Sequence, residues 1–307
     1  MNDAGDYVYK DLDGANQESW SEKHSYFDAQ ARLDWQYVMN DAGDYVYKDL
    51  DGANKESWSE KHSYLDAQAR LDWQYVLYDA GNYLIKDLDA AAREVWSELH
   101  HYFDEQLRLD WQYVMYDAGN YLIKDFDNAN QHNWSEITTY YDGQSLLDWQ
   151  QFSNDNGSLV LNGGSGSNQL NGSAGADTLD GGAGDDQLAG SAGNDVLIGG
   201  SGSDQFLFNT ALGPSNVDAI LDYSSADDTI LLDDAIFAGI GATGTGLATA
   251  AFTIGSAATT SAHRIIYNGA TGALFYDADG SGAGAAVHWA TLVGAPLGIS
   301  NTEFLIV

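Results

Sequence analysis

The sequence predicts an all-β protein in which an N-terminal β-repeat array is followed by a parallel β-roll and a small β-rich cap. Large apolar residues alternate with polar ones through the first half. A glycine-rich segment then repeats every nine residues, and short apolar runs between turn residues fill the end. We expect the array at residues 1–153, the roll at 154–208 and the cap at 209–307.

The array consists of four copies of a 38-residue unit. Residues 2–39 and 40–77 differ at only three positions, and residues 78–115 and 116–153 are looser copies. Each copy contains Trp-Ser-Glu and Leu-Asp-Trp-Gln. Such self-similarity indicates that one supersecondary unit has been duplicated.

Each unit is expected to contain about three strands. Trp20–Tyr26 and Leu33–Tyr37 show the alternation of half-buried strands, and turn residues occur at 28–31, 40–43 and 51–54. An antiparallel meander and a stacked solenoid both fit. An in-register solenoid would align like-charged carboxylates, which favours the meander unless cations occupy the column. These carboxylates are Asp34, Asp72, Asp110 and Asp148.

The chain is strongly acidic, with 46 acidic and 12 basic residues and a formal net charge of −34. This charge repels nucleic acid and anionic lipid, so neither is an expected partner. It attracts hard divalent cations, which prefer oxygen ligands. A hydrophobic content of 44% argues against a disordered acidic chain.

The cysteine content, the length of the apolar runs and the N-terminus exclude several kinds of site and segment. The sequence has no cysteine, which excludes disulfides and thiolate metal sites. The sequence contains no run of about 18 apolar residues, so we expect no membrane span. The acidic N-terminus does not resemble a signal peptide, so we expect any export to use a route that does not read it.

Five consecutive nonapeptides with the pattern G-G-x-G-x-D-x-U-x run from Gly163 to Leu207. Glycine permits positive φ and close approach of the backbone to a metal. The sixth residue adds a carboxylate, and two nonapeptides form one coil, so that repeats i and i+2 stack. The eighth residue faces the interior; these residues are Leu170, Leu179, Leu188, Leu197 and Phe206.

This pattern resembles the RTX (repeats-in-toxin) calcium-binding family. The resemblance implies about three Ca²⁺ ions between stacked turns, pairing Asn168 with Asp186, Asp177 with Asp195, and Asp186 with Asp204. Asn168 departs from the pattern because its oxygen carries no charge. The implied metal-binding residues are Asn168, Asp177, Asp186, Asp195, Asp204, Gly164, Gly166, Gly175, Gly182, Gly184, Gly193 and Gly202.

The same design predicts a switch. Without cations the stacked carboxylates repel and the short strands bury little surface, so calcium binding should drive folding. Extracellular modules commonly respond at about 10⁻⁴–10⁻³ M calcium.

The C-terminal segment is similar to the cap and secretion region of serralysin-type proteins, through residues 227–232, 276–282 and 303–307. The resemblance implies the type I secretion machinery as a partner and an extracellular or cell-surface location. Asp277 and Asp279 are candidates for one more ion, with a plain Asx turn as the alternative.

No catalytic motif is evident, and we expect no enzyme activity. Glu98–His101 lacks the His-Glu-x-x-His order, and the first half has no Gly-x-Ser-x-Gly elbow. The chain has many pairs of carboxylates, so a glycosidase is not excluded by its residue types. The near-identical copies nevertheless favour a repeated surface over one specialised site.

The repeated aromatic face has two interpretations: a packed sheet face or a platform for sugars. Residues 26–33 also resemble the YD repeats of large bacterial secreted proteins. We expect a noncatalytic structural or adhesive role, with self-association or a surface glycan as partner. A carbohydrate- or cell-surface-binding module is the alternative, followed by an accessory region of a secreted hydrolase. The platform residues are Trp35, Trp73, Trp111 and Trp149.

Overall fold

A computed structural model describes most of the strands and the whole C-terminal half of the chain. By its internal contacts, the chain divides into two compact units: Met1–Ala129 with Tyr141–Ser145, and Asn130–Tyr140 with Leu146–Val307. No helix in the described part is long and apolar enough to cross a membrane. The described residues are 7–12, 20–27, 33–40, 45–50, 58–65, 70–78, 83–88, 96–104, 108–116, 118–127, 134–142 and 147–307.

Each 38-residue repeat contains three strands, as predicted. The first strands are β1 (Tyr7–Leu12), β4 (Tyr45–Leu50), β7 (Tyr83–Leu88) and β10 (Tyr121–Phe126). The second strands are β2 (Trp20–Phe27), β5 (Trp58–Leu65), β8 (Trp96–Phe103) and β11 (Trp134–Tyr141). The third strands are β3 (Leu33–Asn40), β6 (Leu71–Tyr78), β9 (Leu109–Tyr116) and β12 (Leu147–Asn154).

The first unit is an antiparallel meander, which decides between the two arrangements that the sequence left open. From β1 to β10, each strand pairs antiparallel with the next. Short connections favour this pairing, since parallel neighbours need long crossovers. Two strands separate β3 from β6 and β6 from β9, so the positions of Asp34, Asp72 and Asp110 do not lie on neighbouring strands.

The repeats share their register and their irregularities. A register shift follows the tryptophan of the second strand, as between Trp58 and Glu60, and this bulge interrupts the expected alternation. Gln36 Nε2 donates to Ser25 Oγ across 2.8 Å, and Gln74 donates in the same way to Ser63. Of the predicted turns, residues 28–31, 41–43 and 51–54 lie outside the described residues, whereas Asn40 ends β3.

Two parallel sheets form the roll in the second unit. One contains β13 (Leu159–Gly163), β15 (Thr178–Asp180) and β17 (Val196–Ile198), and β12 pairs antiparallel with β13. The other contains β14 (Gln169–Asn171), β16 (Gln187–Ala189) and β18 (Gln205–Phe208).

The apolar residue of each nonapeptide lies in the core between these sheets, which confirms the predicted β-roll. Leu170 pairs in register with Leu188, and Leu188 with Phe206, so each layer repeats after two nonapeptides. Leu179, Leu188, Leu197 and Phe206 are fully buried. The strands are only three or four residues long, so each layer adds little more than one large side chain to the core.

The C-terminal segment extends both sheets of the roll, and its core is continuous with that of the roll. Strands β19 (Asp218–Ile220) and β24 (Val287–Leu292) continue one sheet in parallel, and β20 (Thr229–Leu232) and β25 (Phe304–Ile306) continue the other. Its remaining elements are β21 (Phe252–Ile254), β22 (Ile265–Asn268), β23 (Ala273–Tyr276) and two 3-10 helices, Thr249–Ala251 and Asn301–Glu303.

An aromatic cluster fills the core of this segment. Trp289 is buried, with its ring centroid 4.6 Å from Phe208 and 5.2 Å from Phe237, both in edge-on geometry. Because Phe208 ends the strand of the last nonapeptide, the cap packs directly on the roll.

Several turn glycines are required because successive layers stack backbone on backbone. Gly184 has a φ of +123°, and a Cβ placed on it would lie 2.6 Å from the carbonyl oxygen of Gly166 in the layer before. Gly182 has a φ of +90°, and its Cβ would lie 2.5 Å from Gly164 O. No side chain fits between these layers.

We expect Gly184→Ala to destabilise the roll by about 1–3 kcal/mol, because it combines a strained φ with the clash against Gly166 O. Gly213→Ala is the matched control, since a Cβ there meets nothing within 4 Å. Chemical denaturation of both variants in calcium, followed by circular dichroism, measures the difference. Equal stability of the two variants would contradict the close stacking of the turns.

Candidate metal centre

The turns of the roll bring backbone oxygens of successive layers together. Ala183 N donates to Gly164 O across 3.0 Å, and Ser201 N donates to Gly182 O across 2.9 Å. The predicted glycines occupy these turns in columns: Gly164 with Gly182, Gly166 with Gly184 and Gly202, and Gly175 with Gly193.

The sixth-position aspartates form one column along each side of the roll. Each carboxylate accepts a hydrogen bond from the backbone N–H of the equivalent residue 18 positions earlier. These bonds join Asn168 N to Asp186 Oδ1 (2.6 Å), Asp177 N to Asp195 Oδ1 (2.8 Å) and Asp186 N to Asp204 Oδ1 (2.9 Å). The three predicted pairs are therefore adjacent, and ion binding between them stays a prediction.

Two of these carboxylates have a buried oxygen atom that is suited to bind a cation. Asp186 and Asp195 are each 2% exposed, and their Oδ2 atoms have no hydrogen-bond partner among the described residues. Burying an unpaired anionic oxygen is costly, whereas a calcium ion satisfies such oxygens directly.

The ligand set would have to combine carboxylates with turn carbonyls. The described residues include no group of three or more histidine or acidic side chains placed to hold a metal ion. Calcium takes six to eight oxygen ligands, of which carboxylates need supply only a part. The stacked glycine-rich turns would have to supply the remaining oxygens from the backbone.

Asp218 and Asp228 extend the two aspartate columns beyond the nonapeptides, and sequence reasoning did not identify this role. Asp218 Oδ1 accepts from Asp195 N, and Asp228 Oδ1 accepts from Asp204 N, both across 3.0 Å. An Asp-x-Ile pattern at 218–220 and 228–230 was the available signal. The insertion at 209–217 breaks the nine-residue spacing and hides it.

The first layer of the roll lies before the first recognised nonapeptide. Leu159 N donates to Asp177 Oδ1 across 2.7 Å. The carbonyl oxygen of Gly157 lies next to Gly175, and the carbonyl oxygen of Gly175 lies next to Gly193 in the same way. Residues 154–162 therefore act as a degenerate nonapeptide with Leu161 at its buried position. The predicted weak point, Asn168, uses its Oδ1 to accept from Gly164 N across 3.1 Å.

The two additional candidate ligands lie apart from the columns. Asp277 is buried and Asp279 is exposed. Asp279 N donates to Asp277 Oδ1 across 3.3 Å, and Gly284 N donates to Asp279 Oδ2 across 3.0 Å. The Gly284 bond lowers the pKa of Asp279 below its usual value. These bonds are those of an Asx-type turn; metal binding there stays a prediction.

The predicted aromatic platform takes part in cross-strand stacking. Trp73 stacks on Tyr64 with ring centroids 3.5 Å apart, and Trp111 stacks on Tyr102 at 3.4 Å. One face of each indole is therefore covered by a tyrosine of the neighbouring strand. Trp35 and Trp149 are also half-buried.

Burial makes the metal-free aspartate columns unusually basic. It raises the pKa of Asp195 to about 6, with a smaller contribution from the Asp177 carboxylate, and raises the pKa of Asp218 to about 7. Burial also raises the pKa values of Asp186, Asp204 and Asp228. Protons and cations therefore compete for the same oxygens.

We expect the metal-free roll to be more stable in acid than at neutral pH. Because these folded-state pKa values exceed the unfolded value of about 3.9, the stabilisation is complete below about pH 4. It is lost as the pH rises through about 6–7. Circular dichroism of the metal-free chain between about pH 4 and 8 measures this effect. A β signal that increases with pH would contradict it.

Asp195→Asn should weaken calcium binding by at least about tenfold, because the amide keeps an oxygen acceptor for Asp177 N but loses the charge. The metal-free roll should become more stable, since the buried charge is gone. Titration calorimetry and circular dichroism measure the two effects. Asp185→Asn is the control: Asp185 is exposed, and its carboxylate accepts from Ser203 N across 2.8 Å. Equal losses in both variants would contradict a site at Asp195.

Comparison with known proteins identifies the middle of the chain. The profile of the RTX calcium-binding nonapeptide repeat, four copies long, matches residues 160–188 and 182–209. No curated protein matches significantly. A similar solved structure is the solution structure of the AlgE6R3 subunit from the Azotobacter vinelandii mannuronan C5-epimerase. It is 26% identical, covers 48% of this chain and 76% of that chain, and has a TM-score of 0.32. Residues 160–209 are therefore RTX calcium-binding nonapeptide repeats, folded as a β-roll.

Proposed function

We propose that this chain is a secreted, noncatalytic calcium-binding repeat protein. In this proposal the roll folds when it meets extracellular calcium, and the array has a structural or adhesive role. The observation that carries the proposal is the pair of buried aspartate columns, in which Asp186 Oδ2 and Asp195 Oδ2 have no hydrogen-bond partner among the described residues.

Calcium dependence follows from the balance of forces in the roll. Strands of three or four residues bury little apolar surface, while each added layer brings another buried carboxylate. Above the raised pKa values of Asp195 and Asp218 these carboxylates are charged, and they destabilise the stack. A bound ion turns the repulsion between the carboxylates into attraction to the ion. The free energy of ion binding therefore adds to the free energy of folding.

The position of the C-terminal segment supports export before folding. Phe304–Ile306 pairs with Thr229–Leu232, which pairs with Gln205–Phe208 of the last nonapeptide. Folding of the roll therefore takes the predicted secretion segment into a sheet. In a calcium-poor cytosol the segment stays available to a type I secretion system, and in calcium-rich surroundings it becomes part of the fold.

The array supports a structural or adhesive role because its polar groups pair with one another. Glu98 Oε1 lies 2.6 Å from His100 Nε2 and also forms an ion pair with Lys86. Burial lowers the pKa of His100, although the Glu98 hydrogen bond opposes this shift. Lys10 and His24, and Lys48 and His62, occupy the same register in the preceding repeats. The pattern is that of a repeated surface, not of one specialised active site.

We expect a cooperative gain of β signal when calcium is added to the metal-free chain, between about 0.1 and 10 mM. Circular dichroism during the titration measures it. Magnesium serves as the control and should produce little change, because it dehydrates reluctantly and demands a smaller octahedral site. The signal present before calcium reports how far the array folds by itself.

A flat response from a chain verified free of metal would overturn the proposal of calcium-driven folding. An equal response to magnesium would show that the roll only requires screening of its charge.

A further inference from the structure

A pocket of about 400 Å³ lies between β12 and the first nonapeptide of the roll. Its volume is at the lower end of the range for small-molecule sites, about 300–1,000 Å³. It is formed by strand residues on one side and by the turn and strand 167–171 on the other. Its polar and aromatic lining includes Asp148, Trp149, Gln151, Asn168, Gln169 and Asn171.

We propose that this pocket binds a neutral saccharide of one or two rings. An aromatic ring offers an apolar surface for the C–H face of a sugar, and Trp149 supplies one. Four side-chain amides line the pocket. The Asn168 amide accepts from Gly164 N and donates to Asp148 O. Gln151 Nε2 and Gln169 Nε2 donate to Ser153 and Gln187. The Oε1 atoms of the two glutamines and the amide of Asn171 are the groups offered to sugar hydroxyls. A mixture of one aromatic surface and several amides fits a polyhydroxylated ligand better than an apolar one.

The lining groups are held in place before any ligand arrives. Tyr140 lies nearly parallel to Trp149, with ring centroids 6.0 Å apart. Gln169 Nε2 donates to Gln187 Oε1 across 3.0 Å, and Gln187 Nε2 donates to Gln205 Oε1 across 3.1 Å. This row of amides orients Gln169 across three strands. Preorganised groups lose less conformational entropy on binding.

The fourth repeat departs from the other copies at this pocket. Gln151 occupies the position at which the earlier repeats carry Tyr37, Tyr75 and Tyr113. An amide thus replaces a bulky ring in the copy that lines the pocket. The pocket therefore combines one of the repeated tryptophans, Trp149, with an amide that the first three repeats lack.

Charge excludes a polyanionic ligand. None of the described residues that line the pocket is a lysine or an arginine, Asp148 contributes a carboxylate, and the whole chain has a net charge of −34. Uronates and sulfated glycans would be repelled. The Asp148 carboxylate instead suits hydroxyl donors, which form strong hydrogen bonds with anionic oxygens.

Saccharide binding should require calcium, an inference that rests on the proposed calcium-driven folding. One wall of the pocket is the turn and strand of the first nonapeptide, and Asn168 N is held by Asp186 Oδ1 across 2.6 Å. In an unfolded roll this wall is absent. Binding would therefore follow the folding of the roll.

The test uses the full calcium-loaded chain with methyl glycosides of glucose, galactose, mannose and N-acetylglucosamine and the corresponding disaccharides. Saturation-transfer NMR detects binding, and circular dichroism of the same samples reports whether the roll is folded. At least one sugar should bind saturably in calcium and not after its removal. Gln151→Tyr, which restores the residue of the other repeats, should lower the affinity at least about tenfold. The reciprocal variant Tyr113→Gln should leave it unchanged.

Several outcomes would overturn the pocket without touching the calcium proposal. One such outcome is that no sugar binds although the roll is folded. The others are that Gln151→Tyr leaves sugar binding unchanged, or that Tyr113→Gln lowers the affinity as much as Gln151→Tyr does. Persistent binding with an unfolded roll would place the sugar elsewhere. An absent dichroism response to calcium would instead contradict the folding proposal itself.

Discussion

The buried aspartate columns are the constraint on which the C-terminal half of this protein depends. Asp186, Asp195 and Asp204 are each 1–2% exposed, and each lies within hydrogen-bond distance of the layer before it. Above the raised pKa values of Asp195 and Asp218 such a stack carries uncompensated charge in a nearly dry environment. Protons or cations that neutralise these oxygens would therefore stabilise the stacked turns and strands.

The aspartate columns extend beyond the nonapeptides. Both sheets of the roll continue into the C-terminal segment, through Asp218–Ile220 on one side and Thr229–Leu232 on the other. Asp218 and Asp228 carry the columns into this segment, and Phe304–Ile306 completes the second sheet. In the proposed calcium-driven folding, neutralisation of the columns would therefore order nearly half the chain, including residues 167–171, which form one wall of the pocket beside Trp149.

The array relies on a different kind of interaction. Its strands are six to eight residues long and pair with their sequence neighbours. The Gln–Ser hydrogen bond recurs in the first two copies, and the Tyr–Trp stack recurs in the second and third. The charge of Glu98 is neutralised within the sheet by Lys86, so this carboxylate needs no added cation. Antiparallel neighbours of this kind form local contacts, whereas the roll gains its contacts only when whole coils stack.

The amino-acid sequence by itself determined the roll, because glycine, aspartate and an apolar residue at fixed places in a nine-residue period leave few other folds. It also indicated three strands per repeat. The choice of a meander needed the tertiary structure, since a period of two is the same in a meander and a solenoid. An insertion at 209–217 hid the continuation to Asp218 and Asp228. Gln151 and Asn168 met in one pocket only through folding, because proximity between distant residues is a property of packing and not of spacing.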